Sequence, residues 1–344
     1  MACEKSAKHY LVIFQTVHQN VYMRSLTRAY NFIASTKQND VLLKLLVFIC
    51  CIFVYLFITR RKLFPGNVAS EGFEQQDKFV LKRNIDSYDP FYIQVYDQLY
   101  QTNRRIPHEI KAFESTQPDK INSVILDIGC GTGCLVEQLQ NQGYERVFGI
   151  DKSKDMVKVA REKYPSAKTK LGDVMNPMEF EYGTFSHLLC TNMTVYSFAD
   201  KHQFFKNCAS WLLPHGYLVV HLVDPDKFDP ITPAGKPAMF ASPQTYAGKE
   251  RITQTLIDFD KFTYKSAYDF GQCKDKGIVV HTETFTDASS RHVRQNEHEL
   301  FMTDVATTLK YAAVCGFSPI AQFTLTDFTR DPHQYLFVLE KVGR

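Results

Sequence analysis

The sequence predicts an α/β fold with a mostly parallel central sheet, together with one helix that spans a membrane. Residues 124–133 combine a short apolar strand, a turn with three glycines and the start of a helix. Further short apolar segments follow, several of them ending in an acidic residue, and residues 41–59 form a separate apolar run. The chain has 344 residues, so we expect one core with additional segments attached.

The glycine turn at residues 129–133 predicts a ligand site. Glycine lacks a Cβ, so the backbone approaches a ligand closely, and the helix start offers free N–H groups. The dinucleotide pattern requires glycine or alanine where this chain has Cys134, whereas Gly133 comes one residue earlier. The spacing therefore disfavours a dinucleotide and leaves another nucleotide-like ligand open.

Two acidic residues at the ends of the next strands extend this site. Residues 146–151 predict the second strand, and Asp151 ends it about twenty residues after the glycine turn. A carboxylate there accepts both ribose hydroxyls in nucleotide-binding α/β folds. Residues 170–174 supply another strand end, where Asp173 precedes Val174. We expect these groups at one edge of the sheet, beyond the carboxyl ends of its strands.

The remaining strands complete the predicted sheet. Residues 185–190 predict the fourth strand and residues 217–221 the fifth, each followed by a loop. Residues 321–327 and 334–341 predict the last two strands, after a helix in the segment 303–344.

This order of motifs resembles the class I S-adenosylmethionine (SAM) methyltransferases. The resemblance starts from Asp127-x-Gly129-x-Gly131-x-Gly133 and covers roughly residues 86–344. It implies a Rossmann-like sheet, mostly parallel with an antiparallel last strand, and SAM as the cofactor. The cofactor-binding residues that it implies are Asp127, Gly129, Cys130, Gly131, Thr132, Gly133, Asp151, Lys152, Asp173, Val174, Cys190 and Asn192.

Three residues are candidates for catalysis: His221, Tyr196 and Tyr96. His221 lies at or near the end of the fifth strand and would act as a base if the acceptor arrives protonated; a core histidine is the alternative. Tyr96 shares one helical face with Tyr92 and Tyr100, and in related small-molecule methyltransferases a Tyr-rich helix closes over SAM. An aromatic packing stripe is the alternative there. Tyr196 lies in the loop after the fourth strand.

That loop, residues 190–196, also narrows the acceptor. Enzymes that methylate amide or adenine nitrogens resemble one another in an Asn/Asp-Pro-Pro-aromatic sequence here, which this chain lacks. It also lacks the Pro-Cys nucleophile of cytosine-C5 enzymes. Methyl transfer mainly requires that the nucleophile be oriented and water excluded, so a small-molecule nitrogen or oxygen acceptor fits best.

Residues 231–302 form an insertion in which three segments alternate as antiparallel strands do. This insertion resembles the β lid of amino-sugar and glycine-type N-methyltransferases, which roofs the acceptor pocket and sometimes forms a dimer contact. We therefore expect a small-molecule acceptor beneath the lid and a homodimer contact through it. A lipid-soluble acceptor, a protein acceptor and a catalytically idle SAM-binding module stay open.

Composition excludes several classes of partner. Lys and Arg number 40 against 37 Asp and Glu, without a long basic run, so we expect no nucleic-acid partner. The nine cysteines form no Cys-x-x-Cys pair, which indicates free thiols in a reducing compartment and no metal site.

Residues 41–59 predict a transmembrane helix. At about 1.5 Å per residue, nineteen residues reach roughly 28 Å, close to the hydrocarbon thickness. A buried core helix is the alternative. Arg60, Arg61 and Lys62 follow the run, which favours a cytosolic location for the catalytic domain of a single-pass membrane protein.

The predicted organisation has six parts. Residues 1–40 form an N-terminal segment that is either an interfacial amphipathic helix or a soluble one. The transmembrane helix at 41–59 and a linker at 60–85 follow it. The SAM-binding core takes residues 86–230, the lid 231–302, and the final helix with the last two strands 303–344.

Overall fold

The computed structural model describes residues 45, 47–54, 75–236, 242–247 and 250–343. The chain divides into two compact units, Met1–Asn67 and Val68–Arg344. In the first unit the described residues are all helical. The rest of the predicted span 41–59 and all of segment 1–40 lie outside the described residues. Among the helices that are described, none has the length and apolar character needed to cross a membrane.

The second unit alternates helices and strands in the order that the sequence predicts. Local capping fixes several helix starts; for example, Asp89 accepts a hydrogen bond of 3.2 Å from the Tyr92 N–H, with Pro90 in the first turn. In chain order the elements are β1 (Phe79–Arg83), α1 (Pro90–Leu99), α2 (Thr102–Glu114), β2 (Val124–Ile128), α3 (Cys134–Asn141), β3 (Arg146–Asp151), α4 (Lys154–Lys163), β4 (Lys168–Leu171), β5 (Phe185–Cys190), α5 (Lys201–Trp211), β6 (Leu212–Val223), β7 (Gln254–Asp258), β8 (Phe262–Asp269), α6 (Cys273–Lys276), β9 (Ile278–Asp287), β10 (Val293–Phe301), α7 (Val305–Val314), β11 (Phe317–Thr324), α8 (Thr326–Thr329) and β12 (Gln334–Lys341).

Seven strands form the core sheet, in the spatial order β11-β12-β6-β5-β2-β3-β4. Strands β2 to β6 run parallel, and only β12 runs against its neighbours. Every residue of β2 is buried, because helices cover both faces of a parallel sheet. The predicted sheet, mostly parallel with an antiparallel last strand, is confirmed.

Five strands form a second sheet, the lid sheet, in the order β1-β10-β9-β8-β7. The three predicted lid strands correspond to β8, β9 and β10, which pair antiparallel. Strand β7 was not predicted, and neither was β1, which lies inside the predicted linker 60–85 and pairs parallel with β10. The lid sheet therefore combines the insertion with a strand that precedes the core.

Candidate active site

A cavity of about 650 Å³ lies between the carboxyl ends of the core strands and the lid sheet. From the central strand β2 the chain continues to β3 on one side, and β5 lies on the other side. Ligands of open α/β sheets bind at such a change of direction. Nine of the fifteen predicted site residues line the cavity: Tyr96, Gly129, Gly131, Asp151, Lys152, Asp173, Val174, Asn192 and His221.

The glycine turn forms the floor of the cavity. Gly129, Gly131 and Gly133 all have positive φ, at +70°, +52° and +79°, which strains any other residue. A Cβ on Gly129 would lie 2.6 Å from Thr194 Cγ2, so the turn packs tightly against the loop after β5. A Cβ on Gly131 would meet only Met156 Sδ, at 3.9 Å, which leaves the space over this glycine for a ligand.

Asp151 is fixed by the turn itself. One carboxylate oxygen accepts a 2.9 Å hydrogen bond from the Gly131 N–H, and the other accepts one of 2.8 Å from Ser153. Burial raises the pKa of Asp151, and these backbone N–H groups oppose the rise. The carboxylate thus has a fixed direction at the cavity wall, as a ribose-binding acid requires.

Asp173 and Lys152 form an ion pair at the cavity rim. Lys152 Nζ lies 2.8 Å from Asp173 Oδ2, and the two side chains are 62% and 38% exposed. Burial tends to raise the pKa of Asp173, but the hydrogen bonds from Lys152 and the Met175 N–H lower it overall. Because the pair is exposed, it contributes little to stability and leaves both groups available to a ligand.

Tyr96 and Asn192 connect α1 to the loop after β5. The Asn192 side-chain amide donates a hydrogen bond of 2.9 Å to the Tyr96 hydroxyl. Asn192 and Met193 both have positive φ, so the loop turns sharply here. Burial raises the pKa of Tyr96 to about 12, so the phenol stays protonated at neutral pH.

His221 is buried and has one unpaired ring nitrogen. Its Nδ1 accepts a hydrogen bond of 3.1 Å from the Met193 N–H, and Nε2 has no partner of good geometry among the described residues. Burial and then the nearby Arg105 lower the pKa of His221 to about 3. The ring is therefore neutral, and the proton on Nε2 is available to a ligand as a hydrogen-bond donor.

Tyr196 and Cys190 are buried away from the cavity wall. The Tyr196 hydroxyl donates to the Val223 carbonyl at 3.2 Å and accepts from the Val223 N–H at 2.8 Å, which saturates it in the core. Cys190 is fully buried, and burial raises the pKa of its thiol. Neither residue lines the cavity.

Four other predicted cofactor residues, in or just before the glycine turn, do not line the cavity. Thr132 donates a hydrogen bond of 3.0 Å to Asp97, and a Cβ on Gly133 would lie 3.0 Å from the Cβ of Ala160. Burial raises the pKa of Asp127, and the negative charge of the nearby Glu109 raises it further. The residues that the structure removes from the cavity wall are Asp127, Cys130, Thr132 and Gly133.

Sequence reasoning placed the lid over the acceptor pocket, but it named none of the lid residues that line the cavity. Tyr268 and His281 stack with ring centroids 4.1 Å apart, and the ring of His298 lies 5.9 Å from His281. All three line the cavity. The sequence carries only a weak sign of these wall residues. Polar residues alternate along β9 and β10, but a sheet with one face exposed to solvent shows the same pattern.

Comparisons with known proteins agree with this geometry. Residues 125–216 match the methyltransferase domain family. The chain is 25% identical over 158 residues to malonyl-[acyl-carrier protein] O-methyltransferase of Halalkalibacterium halodurans, covering 44% of this chain and 58% of that protein. It is 22% identical over 232 residues to ubiquinone biosynthesis O-methyltransferase of Vibrio parahaemolyticus, covering 57% of this chain and 97% of that protein.

Solved structures share the fold. The CcbJ methyltransferase from Streptomyces caelestis matches with a TM-score of 0.56 at 16% identity, over 76% of this chain and all of that one. A SAM-dependent methyltransferase from Clostridium acetobutylicum matches with a TM-score of 0.54 at 16% identity, over 73% and 98%. The sugar N-methyltransferase KedS8 from Streptoalloteichus matches with a TM-score of 0.51 at 20% identity, over 72% of this chain and 93% of that one. At these identities the likeness establishes the fold alone.

The family match and the fold define a SAM-dependent methyltransferase domain in this chain. The predicted class of enzyme and its cofactor are thereby confirmed. The chain spans 58 to 61% of the length of three curated relatives that it matches. The acceptor and the activity of the whole protein are therefore matters of proposal.

Proposed function

We propose that the protein transfers a methyl group from SAM to a nitrogen or oxygen atom of a small molecule held beneath the lid sheet. The observation that carries this proposal is a cavity whose wall combines core residues with lid residues. Gly131, Asp151 and Asn192 lie on the core side, whereas His281 and His298 lie on the lid side. A cofactor and an acceptor bound to these two sides would meet inside one enclosed space.

The residues of the core side fit SAM. The open space over Gly131 suits a ligand that lies against the backbone, and the fixed carboxylate of Asp151 suits a ribose. Asp173 and Val174 would contact the adenine, with Lys152 beside them. SAM supplies an electrophilic methyl group on a sulfonium. The protein's part is to orient the acceptor and to exclude water from it.

His221 serves this reaction as a hydrogen-bond donor in our proposal, not as a base. Its Nδ1 lone pair is already occupied by the Met193 N–H, and its pKa of about 3 keeps the ring neutral. The free Nε2–H would orient an oxygen atom of the cofactor or of the acceptor. Tyr96 would add a second hydroxyl to the same wall, next to Asn192.

The acceptor itself is proposed to be small because the lid encloses the cavity. Aromatic rings line the acceptor side: Tyr92 of α1, Tyr88 just before α1, and Tyr268 of the lid. Such a wall suits an acceptor with an apolar body and a few polar groups. A lipid-soluble acceptor remains a second candidate, which the apolar run at residues 41–59 favours.

We further propose that residues 41–59 anchor the protein in a membrane, with the catalytic unit on the cytosolic side. The support is the length of the apolar run and the three basic residues after it. Alkaline extraction of membranes and protease protection of the full chain in sealed vesicles test this proposal. Release by alkali would exclude the span, and a protected catalytic unit would reverse the orientation.

A homodimer through the lid sheet is also proposed, on the resemblance of the lid alone. Sedimentation equilibrium of the full chain in mild detergent measures the state directly. A monomer at all concentrations would reject the dimer without affecting the other proposals.

The central test is calorimetric titration of SAM into the full chain, with NADH as the control. Turnover is then measured as S-adenosylhomocysteine formed with ethanolamine, glucosamine, glycine, catechol and decanol. Micromolar SAM binding with turnover supports the proposal. Binding without turnover on these acceptors or on casein would favour an idle SAM-binding module, and turnover on casein alone would favour a protein acceptor.

A further inference from the structure

A buried carboxylate in the lid sheet holds a histidine of the cavity wall. Glu283 on β9 is fully buried, and its Oε2 lies 3.3 Å from Nε2 of His298 on β10. Its Oε1 accepts hydrogen bonds from the hydroxyls of Tyr264, at 2.7 Å, and Tyr100, at 3.3 Å. The carboxylate is thus held from two sides, and its direction toward His298 is fixed.

The charge of Glu283 is not neutralised by a basic side chain of the cavity wall. Arg105, Lys152 and Lys236 line the described cavity, and each already pairs with another carboxylate at 2.8 Å. Burial tends to raise the pKa of Glu283, but the hydrogen bond from His298 and the nearby His281 lower it to about 2. Glu283 is therefore a carboxylate at neutral pH.

A carboxylate that accepts from Nε2 fixes the tautomer of a neutral histidine. Nε2 then carries the proton, and Nδ1 presents a lone pair. The ring of His298 lines the cavity, and a hydrogen bond joins its Nε2 to Glu283. This is the arrangement of a general base that a carboxylate orients.

His298 lies on the lid side of the cavity, where the acceptor is proposed to bind. The ring of Tyr88 lies 5.5 Å from that of His298 and 6.3 Å from that of Tyr96, the partner of Asn192. Two aromatic rings thus separate the base candidate from the loop after β5. The titratable groups that face His298 are Glu283 and His281 from β9, Tyr92 from α1, and Tyr88 just before α1.

We propose that His298, oriented by Glu283, is the general base that takes the proton from the acceptor atom to be methylated. This inference rests on the proposed methyl transfer. The N–H or O–H proton of the acceptor moves to His298 Nδ1, and its electron pair forms the bond to the methyl carbon. The carbon–sulfur bond breaks with its electrons staying on sulfur, so S-adenosylhomocysteine leaves neutral at sulfur. The imidazolium then returns its proton to solvent.

The first test is kinetic and uses the full chain with the panel acceptor on which the wild type is fastest. His298→Asn should lower kcat about 10²- to 10⁴-fold, as expected for loss of a general base, with the Kd for SAM unchanged within threefold. It should also change the acid side of the pH profile of kcat/KM, because a general base stops working once it is protonated. Glu283→Gln should lower kcat about 10- to 100-fold, since the base loses its orienting charge.

His215→Asn is the matched control. His215 also pairs with a carboxylate, Glu340 at 2.9 Å, but this histidine is 71% exposed and does not line the cavity. This variant should keep the wild-type kcat and pH profile. If the wild type is active and His298→Asn has the same kcat and the same pH profile, His298 is not the general base. A wild type that binds SAM but methylates nothing would overturn the proposed function, and the base with it.

The second test needs no acceptor and still applies if Glu283→Gln does not fold. Long-range ¹H–¹⁵N correlation spectra of the full chain labelled at histidine report which ring nitrogen carries the proton, and His298→Asn assigns the signal. We expect a protonated Nε2 and an unprotonated Nδ1 at pH 7.5. A proton on Nδ1 would overturn the base, because no lone pair would then be available to the acceptor.

Discussion

The side-chain amide of Asn192 donates a hydrogen bond of 2.9 Å to the hydroxyl of Tyr96, and both residues line the cavity. This bond ties the loop after β5, which belongs to the core, to α1, whose Tyr92 contacts Phe285 and His298 of the lid sheet. The two halves of the cavity wall therefore share one polar link.

Loss of that link should weaken cofactor binding. Tyr96→Phe removes one neutral hydrogen bond, which contributes about 0.5–1.5 kcal/mol, so we expect the Kd for SAM to rise about two- to tenfold. Calorimetric titration measures the change. Tyr246→Phe is the control, because Tyr246 is 80% exposed and does not line the cavity. An unchanged Kd in Tyr96→Phe would remove Tyr96 from the cofactor site.

Asp151 should matter more, since its hydrogen bonds carry a charge. The Asp151 carboxylate accepts hydrogen bonds from two backbone N–H groups. In Asp151→Asn, the side-chain NH₂ group would face one of these N–H groups, and that hydrogen bond would be lost. We expect SAM binding to weaken about 10- to 100-fold, from the loss of charged hydrogen bonds. Asp260→Asn on an exposed loop should leave the titration unchanged. Equal affinities of the wild type and Asp151→Asn would contradict the ribose assignment.

Gly129 should tolerate alanine worse than Gly183 does. Both glycines have positive φ, +70° and +63°, so both variants incur the left-handed strain of about 1–2 kcal/mol. Only at Gly129 would the new Cβ clash, at 2.6 Å from Thr194 Cγ2. Gly129→Ala should therefore lower the free energy of unfolding by about 1–3 kcal/mol more than Gly183→Ala. Urea unfolding measures both.

The clash itself has a direct check. Thr194→Ser deletes Cγ2, so it should recover part of the stability lost in Gly129→Ala. If the double variant is no more stable than Gly129→Ala, the contact with Thr194 is not the cause.

His187 should make the protein less stable in mild acid. Burial lowers its pKa to about 4, below the ordinary value of 6.5, so the unfolded chain binds the proton first. Its contribution to stability is present above pH 6.5 and is lost as the pH falls toward 4. His187→Phe keeps a ring against Phe113 and Tyr217 but cannot titrate.

The difference in free energy of unfolding between the wild type and His187→Phe should therefore shrink by about 2 kcal/mol from pH 7.5 to pH 5. Urea unfolding at the two pH values measures it. A constant difference for His187→Phe would mean that His187 takes up its proton equally in the folded and unfolded chain.

The core sheet and its cofactor edge were predictable because the signals are local. A strand, the glycine turn and the helix after it lie within residues 124–141, and Asp151 follows at a fixed distance along the chain. The chemistry of each residue there is decided by its immediate neighbours. That is why Gly129, Gly131 and Asp151 are found at the cavity wall as expected.

Side-chain direction and distant pairing were not predictable. Tyr196 lies in the predicted loop, but its hydroxyl turns into the core and pairs with Val223. His298 and Glu283 meet only because β9 and β10 pair in one register. The five residues of β1 pair with a strand more than 200 residues later, as Arg83 and Glu297 show with a separation of 214 residues.

That separation has a consequence for folding. Closing a loop of some 200 residues has a large entropic cost, so such pairings form late, after the local strands have assembled. Strands β7 to β10 form a meander of neighbours, whereas β1 can add to it only once the intervening core is in place. The same late step brings Asp89, at the start of α1, to within 2.7 Å of Arg294 on β10. We therefore expect the tyrosines of α1 to reach their positions last, so that the lid side of the cavity is completed only at the end of folding.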